Sequence, residues 1–343
     1  MDVMHFWRYA MKEETKLLVV YQWILWFPKV PTYIQNDINM LKKHFNLTEC
    51  QFNFRSIIKL IREVRKTDVV FIWFAGFHAL TVLFITRIFK KPIVIVTGGY
   101  DVTELKEIKY GMMQNPISKM LVKYILKRAD KILSVSEFNK KEAEKYIGIN
   151  NSEVIFNCVN TDYFKPKGKK ENIVISVGLV SDNTIKRKGL DIFVKAAEKI
   201  PKITFYMVGS QEKNAVKYLK SIAAPNVKFT GFVSKEDLLT FYQRAKVYCQ
   251  LSMHEAFGVS VGEAMSCECV PVVSDKGALS EVVGDTGYVT PYGDLDKIAE
   301  AIKKALKDEK NGKLARKRII ENYTSEIREK KLLKVINKVL NIK

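Results

Sequence analysis

Two glutamates with seven residues between them, Glu255 and Glu263, lie in the stretch HEAFGVSVGEAMSCECVPVV (254–273). The first falls in a loop behind a short apolar run, and the second falls inside the helix expected to follow. Gly258 stands between them, where the chain turns into that helix. Glycine lets backbone approach a ligand closely, and the free amides and dipole of a helix start favour phosphate. A carboxylate one to two turns further in, as Glu263 would be, can accept hydrogen bonds from two vicinal hydroxyls such as those of a ribose. On spacing alone, an ordinary loop and a solvated helical glutamate meet the same pattern. A second chemically capable group is the basic triplet Lys186-Arg187-Lys188 before Gly189. It also sits at a helix start, where either an anion or plain solvent suits it.

Other residue types invite metal or proton chemistry less strongly. His78 lies at a strand-to-helix junction after Gly76, a place for a capping or core histidine as well as for a site residue. Asp294-Leu295-Asp296 has the look of an acidic metal-binding pair, but a helix cap is the simpler expectation. The five cysteines, Cys50, Cys158, Cys249, Cys267 and Cys269, lack paired ligand spacing, and the histidines are scattered at 5, 44, 78 and 254. Buried, reduced thiols and no metal site are therefore expected, and the absence of a signal peptide suits a cytoplasmic protein.

The elements that must position these groups alternate along the chain. Strands are expected at 16–23, 47–52, 68–74, 92–97, 131–135 and 153–156, with helices at 34–44, 55–66, 77–89, 115–129 and 137–147. A polar Pro- and Gly-containing stretch, 157–172, reads as a linker. Further strands are expected at 172–178, 203–209, 226–231, 246–251 and 270–274, and the last helices at 294–308 and 311–340. Alternation of this kind implies an α/β fold of two doubly wound parallel sheets. The domains would be 1–160 and 170–321, with the C-terminal helix, about 322–343, packing back on the first. The uncharged run Val69–Thr86 is long enough to test as a membrane span, but Ala75-Gly76 splits it into a strand and a helix.

Composition sets the remaining bounds. The chain has 343 residues, 47% hydrophobic and 11% aromatic, with no repeat or low-complexity tract, which fits two globular domains. Its formal net charge of +20 calls for an anionic partner: nucleic acid, anionic lipid or a phosphorylated small molecule. The excess is spread along the chain rather than gathered in a tail, and no nucleic-acid-binding module is recognisable, so nucleic acid is not the expected partner. The helix Pro116–Arg128, ISKMLVKYILKR with its basic and apolar positions, could dock on anionic lipid or simply cover a core.

The segment around Glu255 and Glu263 resembles the Glu-seven-Glu motif of the family 4 retaining glycosyltransferases. The resemblance is collinear over nearly the whole chain. SVGLVSDNTIKRKGLDIFVKAAEKIPKITFYMVG (176–209) is similar to the family's first C-domain strand, phosphate loop and helix, and VKFTGFVSKEDLLTFYQRA (227–245) to its base-binding loop. ADKILSVSEFNKKEAEKYIGINNSEVIFNCVNTDYFKP (129–166) looks like the end of its N-domain, FPKVPTYIQNDINMLKKH (27–44) like its acceptor-side opening, and IVIVTGGYDV (93–102) like its mid-domain glycine loop. The resemblance implies two Rossmann-like domains facing across a cleft, the GT-B arrangement. It further implies transfer of a sugar from a UDP-, GDP- or ADP-linked donor to an acceptor hydroxyl, without metal or cofactor, in glycan biosynthesis.

By that resemblance Glu263 would hold the donor ribose, Glu255 the transferred sugar and Lys188 the diphosphate, with Arg187 beside it. Gly178 would close the first strand, and Ala256, Phe257, Gly258 and Val259 would give backbone contacts. Phe232, with Val233, would line the base. Gly98, Gly99, Tyr100, Asp101 and His78 would lie on the acceptor side, where Gly98-Gly99 amides can meet a phosphate. Acceptor choice would lie in loops 23–33 and 98–115, and a lipid-linked acceptor would suit a protein peripheral on the inner membrane face. Two positions depart from the family pattern: Leu179 replaces an arginine after SVG, with Lys186 or Arg187 as substitutes, and Gly98 replaces a histidine. These departures keep a nucleotide-sugar-binding pseudoenzyme as the alternative, ahead of a basic nucleic-acid-binding protein.

Overall fold

Runs of β-branched and aromatic residues too short for helices form strands, and the amphipathic segments between them cover the sheet faces. The structure, a computed structural model, describes residues 15–22, 30–148, 151–308 and 310–341. His5 and residues 23–29 of the expected acceptor loop lie outside the described residues. The chain divides into two compact units, residues 1–157 with 325–343, and residues 158–324.

The first unit runs β1 (Lys16–Gln22), α1 (Thr32–Leu41), β2 (Asn46–Phe52), α2 (Ile57–Lys66), β3 (Val69–Trp73), α3 (Phe77–Ile88), β4 (Ile93–Thr97), α4 (Pro116–Arg128), β5 (Lys131–Ser134), α5 (Glu137–Ile147) and β6 (Ser152–Val154). Its strands are parallel in the order β2-β1-β3-β4-β5-β6. β3 and β4 are buried along their whole length, which accounts for their unbroken apolar runs. The uncharged run 69–86 is thus strand β3, a turn, and most of α3. Among the described residues no helix is long and apolar enough to cross a membrane. The C-terminal helix Ser325–Asn341 belongs to this unit, where the Arg328 guanidinium grips Asp37 of α1 with both prongs, at 2.6 and 2.7 Å.

The second unit runs β7 (Glu171–Val177), α6 (Asp182–Ile185), α7 (Leu190–Ala196), β8 (Thr204–Val208), α8 (Lys213–Ile222), β9 (Val227–Gly231), α9 (Lys235–Arg244), β10 (Ala245–Gln250), α10 (Val259–Ser266), β11 (Val270–Ser274), α11 (Leu279–Val283), β12 (Tyr288–Thr290), α12 (Leu295–Lys307) and α13 (Asn311–Asn322). The parallel order is β12-β11-β10-β7-β8-β9. The chain moves outward from β7 through β8 to β9, then returns to β10 on the other side of β7. The neighbouring strands β7 and β10 therefore flank a topological switch point, where ligands of open α/β sheets bind beyond the carboxyl ends.

Three details depart from the sequence reading. The edge strand β12 was not foreseen, because three residues carry no periodicity; only its pairing with β11 defines it. The helix expected over 311–340 is two helices. Thr324 bridges to Val159 between them, and the Val159 amide donates to the Tyr323 carbonyl at 2.8 Å. Lastly, the stretch read as a linker packs on the second unit from residue 158 onward. Phe164 is buried with its ring 5.8 Å from that of Tyr242, and its carbonyl accepts from Ser266 Oγ.

Candidate functional site

At the carboxyl end of β7, Gly178 leaves room for the stem of Lys188, whose Cδ would lie 3.3 Å from any Cβ placed there. Lys188 comes from the turn between α6 and α7. The turn is fixed by Gly189, which has φ 60° and packs so closely on β10's end that a Cβ would stand 1.9 Å from the Leu251 carbonyl oxygen. That contact brings the basic triplet beside the loop after β10. Met253 N donates to Arg187 O at 2.8 Å, and Lys188 Nζ lies 3.2 Å from Glu255 Oε1.

Glu255 is held from several directions. Its Oε1 also accepts from Gln250 Nε2 and Ser252 Oγ, each at 3.2 Å, and Tyr248 OH donates to Gln250 Oε1 at 2.7 Å. Burial works against ionisation here, but the charges of Lys188 and Arg187 outweigh it and hold the carboxyl below its ordinary range. Tyr248, Gln250 and Ser252 went unnoticed in the sequence reading. Tyr248 and Gln250 carry a sequence signal, polar side chains two apart on one face of an otherwise apolar strand, while Ser252 lies beyond the strand's end.

Glu263 sits in the second turn of α10 in a different electrostatic state. Burial raises its carboxyl to about 7, although Tyr242 OH donates to Oε2 at 3.1 Å and Lys235 draws it down somewhat. Gly258 caps α10 with φ 92°, and Val259 opens the helix, so its first amides face the loop that carries Glu255. Ala256 lies in that loop. Phe257 is buried against the Tyr323 ring, 5.5 Å away, which anchors the loop and leaves only its backbone for a ligand. Phe232 is 81% exposed just beyond β9, at the same edge of the sheet. Lys186 pairs at 2.5 Å with the buried Asp191, whereas Arg187, the other cation expected to stand in for Leu179, contributes its charge to holding Glu255 ionised. Asp294 caps α12 by accepting from the Lys297 amide at 3.0 Å. Among the described residues no cluster of three His, Cys, Asp or Glu side chains could hold a metal ion, and the five cysteines are buried.

In the first unit the expected acceptor-side residues serve the backbone. Asp101 is fully buried: Oδ2 accepts from Ala75 N at 3.0 Å, and Oδ1 from Gly98 N and Gly99 N at 3.1 Å each. The amides expected to meet a phosphate are thus already taken, and burial raises Asp101 to about 6 against their pull. His78 is buried too. Its Nε2 donates to the Trp73 carbonyl at 2.8 Å, Nδ1 lies 3.1 Å from the Gln22 amide oxygen, and burial lowers its pKa to about 4. A side chain at Gly98 would displace the Phe74 ring, which would lie 2.2 Å from its Cβ; Phe74 itself adopts φ 71°. Tyr100 is exposed, its ring 5.1 Å from that of Tyr110.

Comparison with known proteins follows this division. The model described as Glycosyltransferase Family 4 matches residues 29–163, and that described as Glycosyl transferases group 1 matches residues 160–325. The O-antigen chain mannosyltransferase B of Escherichia coli is 39% identical over 83 residues, 24% of this chain and 22% of that protein. The N-acetyl-alpha-D-glucosaminyl L-malate synthase of Bacillus anthracis is 23% identical over 281 residues, 76% of this chain and 71% of that protein. The chain spans between 22% and 49% of the length of the first three curated relatives it matches. In fold it is similar to the crystal structure of Anabaena Alr3699/HepE in complex with UDP, with a TM-score of 0.79 at 15% identity over 94% of this chain and 100% of that one. Two consecutive family models, two six-stranded parallel sheets and the GT-B likeness agree, and the chain belongs to the family 4 glycosyltransferases.

Proposed function

We propose that the protein transfers a sugar from a nucleotide-sugar donor, held by the second unit, to an acceptor hydroxyl. One observation carries the reading: Lys188 and Glu255, 67 residues apart, meet at the switch point of the second sheet, with Glu263 on the adjoining helix. Support also comes from the relatives, one named a mannosyltransferase and one solved in complex with UDP. In the reaction the bond between the anomeric carbon and the diphosphate oxygen breaks as the acceptor oxygen bonds to that carbon. Negative charge collects on the leaving diphosphate, and Lys188, Arg187 and the first amides of α10 are suited to stabilise it. Glu255 keeps Gln250 and Ser252 as donors when Lys188 turns to phosphate, so it stays ionised beside the sugar. Glu263 receives the ribose hydroxyls.

Retention of configuration belongs to the same reading, with a leaving phosphate oxygen taking the acceptor's proton and neither metal nor cofactor required. A hydroxyl of a glycan, a lipid-linked molecule or a small molecule would be the acceptor. Donor binding without turnover is the second reading, favoured by Leu179 and by Gly98, where the Phe74 ring fills the place of a side chain. Thermal-shift measurements with UDP, GDP, ADP, CMP and their sugar conjugates test donor binding. Stabilisation by one nucleotide group, lost in Lys188→Ala, is the expected outcome, and no response to any of them overturns the proposal. Release of sugar from the stabilising conjugate, abolished by Glu255→Ala, separates an enzyme from a binding protein.

A further inference from the structure

We propose that the outer face of α2, α3 and α4 docks on an anionic lipid surface. These three helices lie on one side of the first sheet, and their inner sides supply Leu60, Val64, Val82, Leu83, Val122 and Ile125 to a single core. Their outer sides are not the polar surface that such helices normally present. Ile58 is 75% exposed, Phe84 54%, Ile88 74% and Met120 69%. A groove between α2 and the end of α3 is lined by Ile58, Ile61 and Phe89 together with Arg62, Arg65 and Lys66. Large apolar side chains gathered over neighbouring helices mark an interaction surface.

Charge selects the partner. Four basic residues lie in α2, one in α3 and four in α4, against the single acid Glu63. Lys119 pairs with Glu104 and Arg87 with Asp130, while Lys59, Arg62, Arg65, Lys66 and Lys127 extend to solvent. A second copy would bring this basic face against another on a chain of net charge +20. Nucleic acid accounts for the cations but leaves Phe84, Ile88 and Met120 without a role. A bilayer with anionic headgroups engages both, with the cations among the headgroups and the apolar side chains at the acyl boundary. Tyr124, stacked under the Arg128 guanidinium at 3.8 Å and 6.2 Å from the Phe84 ring, joins the two kinds of residue. The proposal is independent of whether the second unit binds a nucleotide sugar.

The test is co-sedimentation of the full chain with vesicles of phosphatidylcholine alone and of equal parts phosphatidylcholine and phosphatidylglycerol. Two paired variants are compared, Arg62→Glu with Arg65→Glu, and Phe84→Ser with Ile88→Ser; circular dichroism and thermal unfolding verify that each folds. The native chain is expected to bind only the anionic vesicles, and each pair to weaken that binding by about tenfold or more. Equal partition onto both vesicle types, or native binding by both variants, overturns the proposal. Displacement by duplex DNA with the serine pair still binding like the native chain also overturns it, and reassigns the face to a polyanion.

Discussion

Glu255 and Glu263 carry the same carboxyl group, yet their surroundings drive them apart: two cations hold one ionised, and burial lifts the other to about 7. The folded Glu263 retains its proton between its unfolded value near 4.5 and about 7, so stability present at low pH is lost as pH rises through that window. Glu263→Gln removes this dependence. Its unfolding temperature should gain on the native chain from about pH 5 to pH 7 and then run parallel, as thermal melts across pH would show. Nucleoside diphosphate affinity should show the opposite slope, strengthening towards neutrality because an ionised Glu263 accepts the ribose hydroxyls. Comparison with the Gln variant subtracts the titration of the phosphate itself. Lys188→Met takes from Glu255 one of its two cations and the hydrogen bond that cation donates, and should cost about 1–3 kcal/mol in urea unfolding. The glutamate pair and Lys188 were legible because their types and spacing are local. Gln250 and Ser252 became partners only when the loop folded back over the end of β10.

At the scale of elements, the turns hold the chemistry in place. Gly189 lets the triplet turn press on the end of β10, and Gly189→Ala would drive a Cβ into the Leu251 carbonyl at φ 60°. A loss of about 2 kcal/mol or more is expected, with nucleotide-induced stabilisation lost as Lys188 moves away from Glu255. In the first unit, Asp101 binds the turn after β3 to the glycine loop after β4 through three amides. Asp101→Ala should therefore cost roughly 2–4 kcal/mol, read by chemical denaturation, because it leaves those amides buried and unpaired. The sequence marked the glycine loop correctly but assigned its amides to a ligand. An aspartate two or three residues on competes for the same donors by accepting from them with its side chain.

At the scale of the whole chain, Arg328 secures the last helix to the first unit. It is buried with Asp37, donates to the carbonyls of Ile155 and Phe156 at 2.7 Å each, and lies beside the Trp73 ring, whose Nε1 donates to the same carboxylate. Arg328→Met strands a buried charge and should cost about 3–5 kcal/mol. The double variant with Asp37→Leu should recover much of that loss. Urea unfolding of the single and double variants checks both statements.

The order of strands and helices, their parallel arrangement and the family were determined by the sequence itself, because two-residue and 3.6-residue periodicities are written locally. So were the two glutamates, whose separation survives folding as loop and helix. Only the tertiary structure decided where the long apparent helix breaks, since its amphipathic pattern continues through Tyr323 and Thr324 while the bridge to Val159 takes their backbone. It likewise decided that Asp101 closes on the amides of Gly98 and Gly99 and that Arg328 finds Asp37, a partner 291 residues away. Contacts of that sequence separation leave no periodic trace, and packing alone selects them.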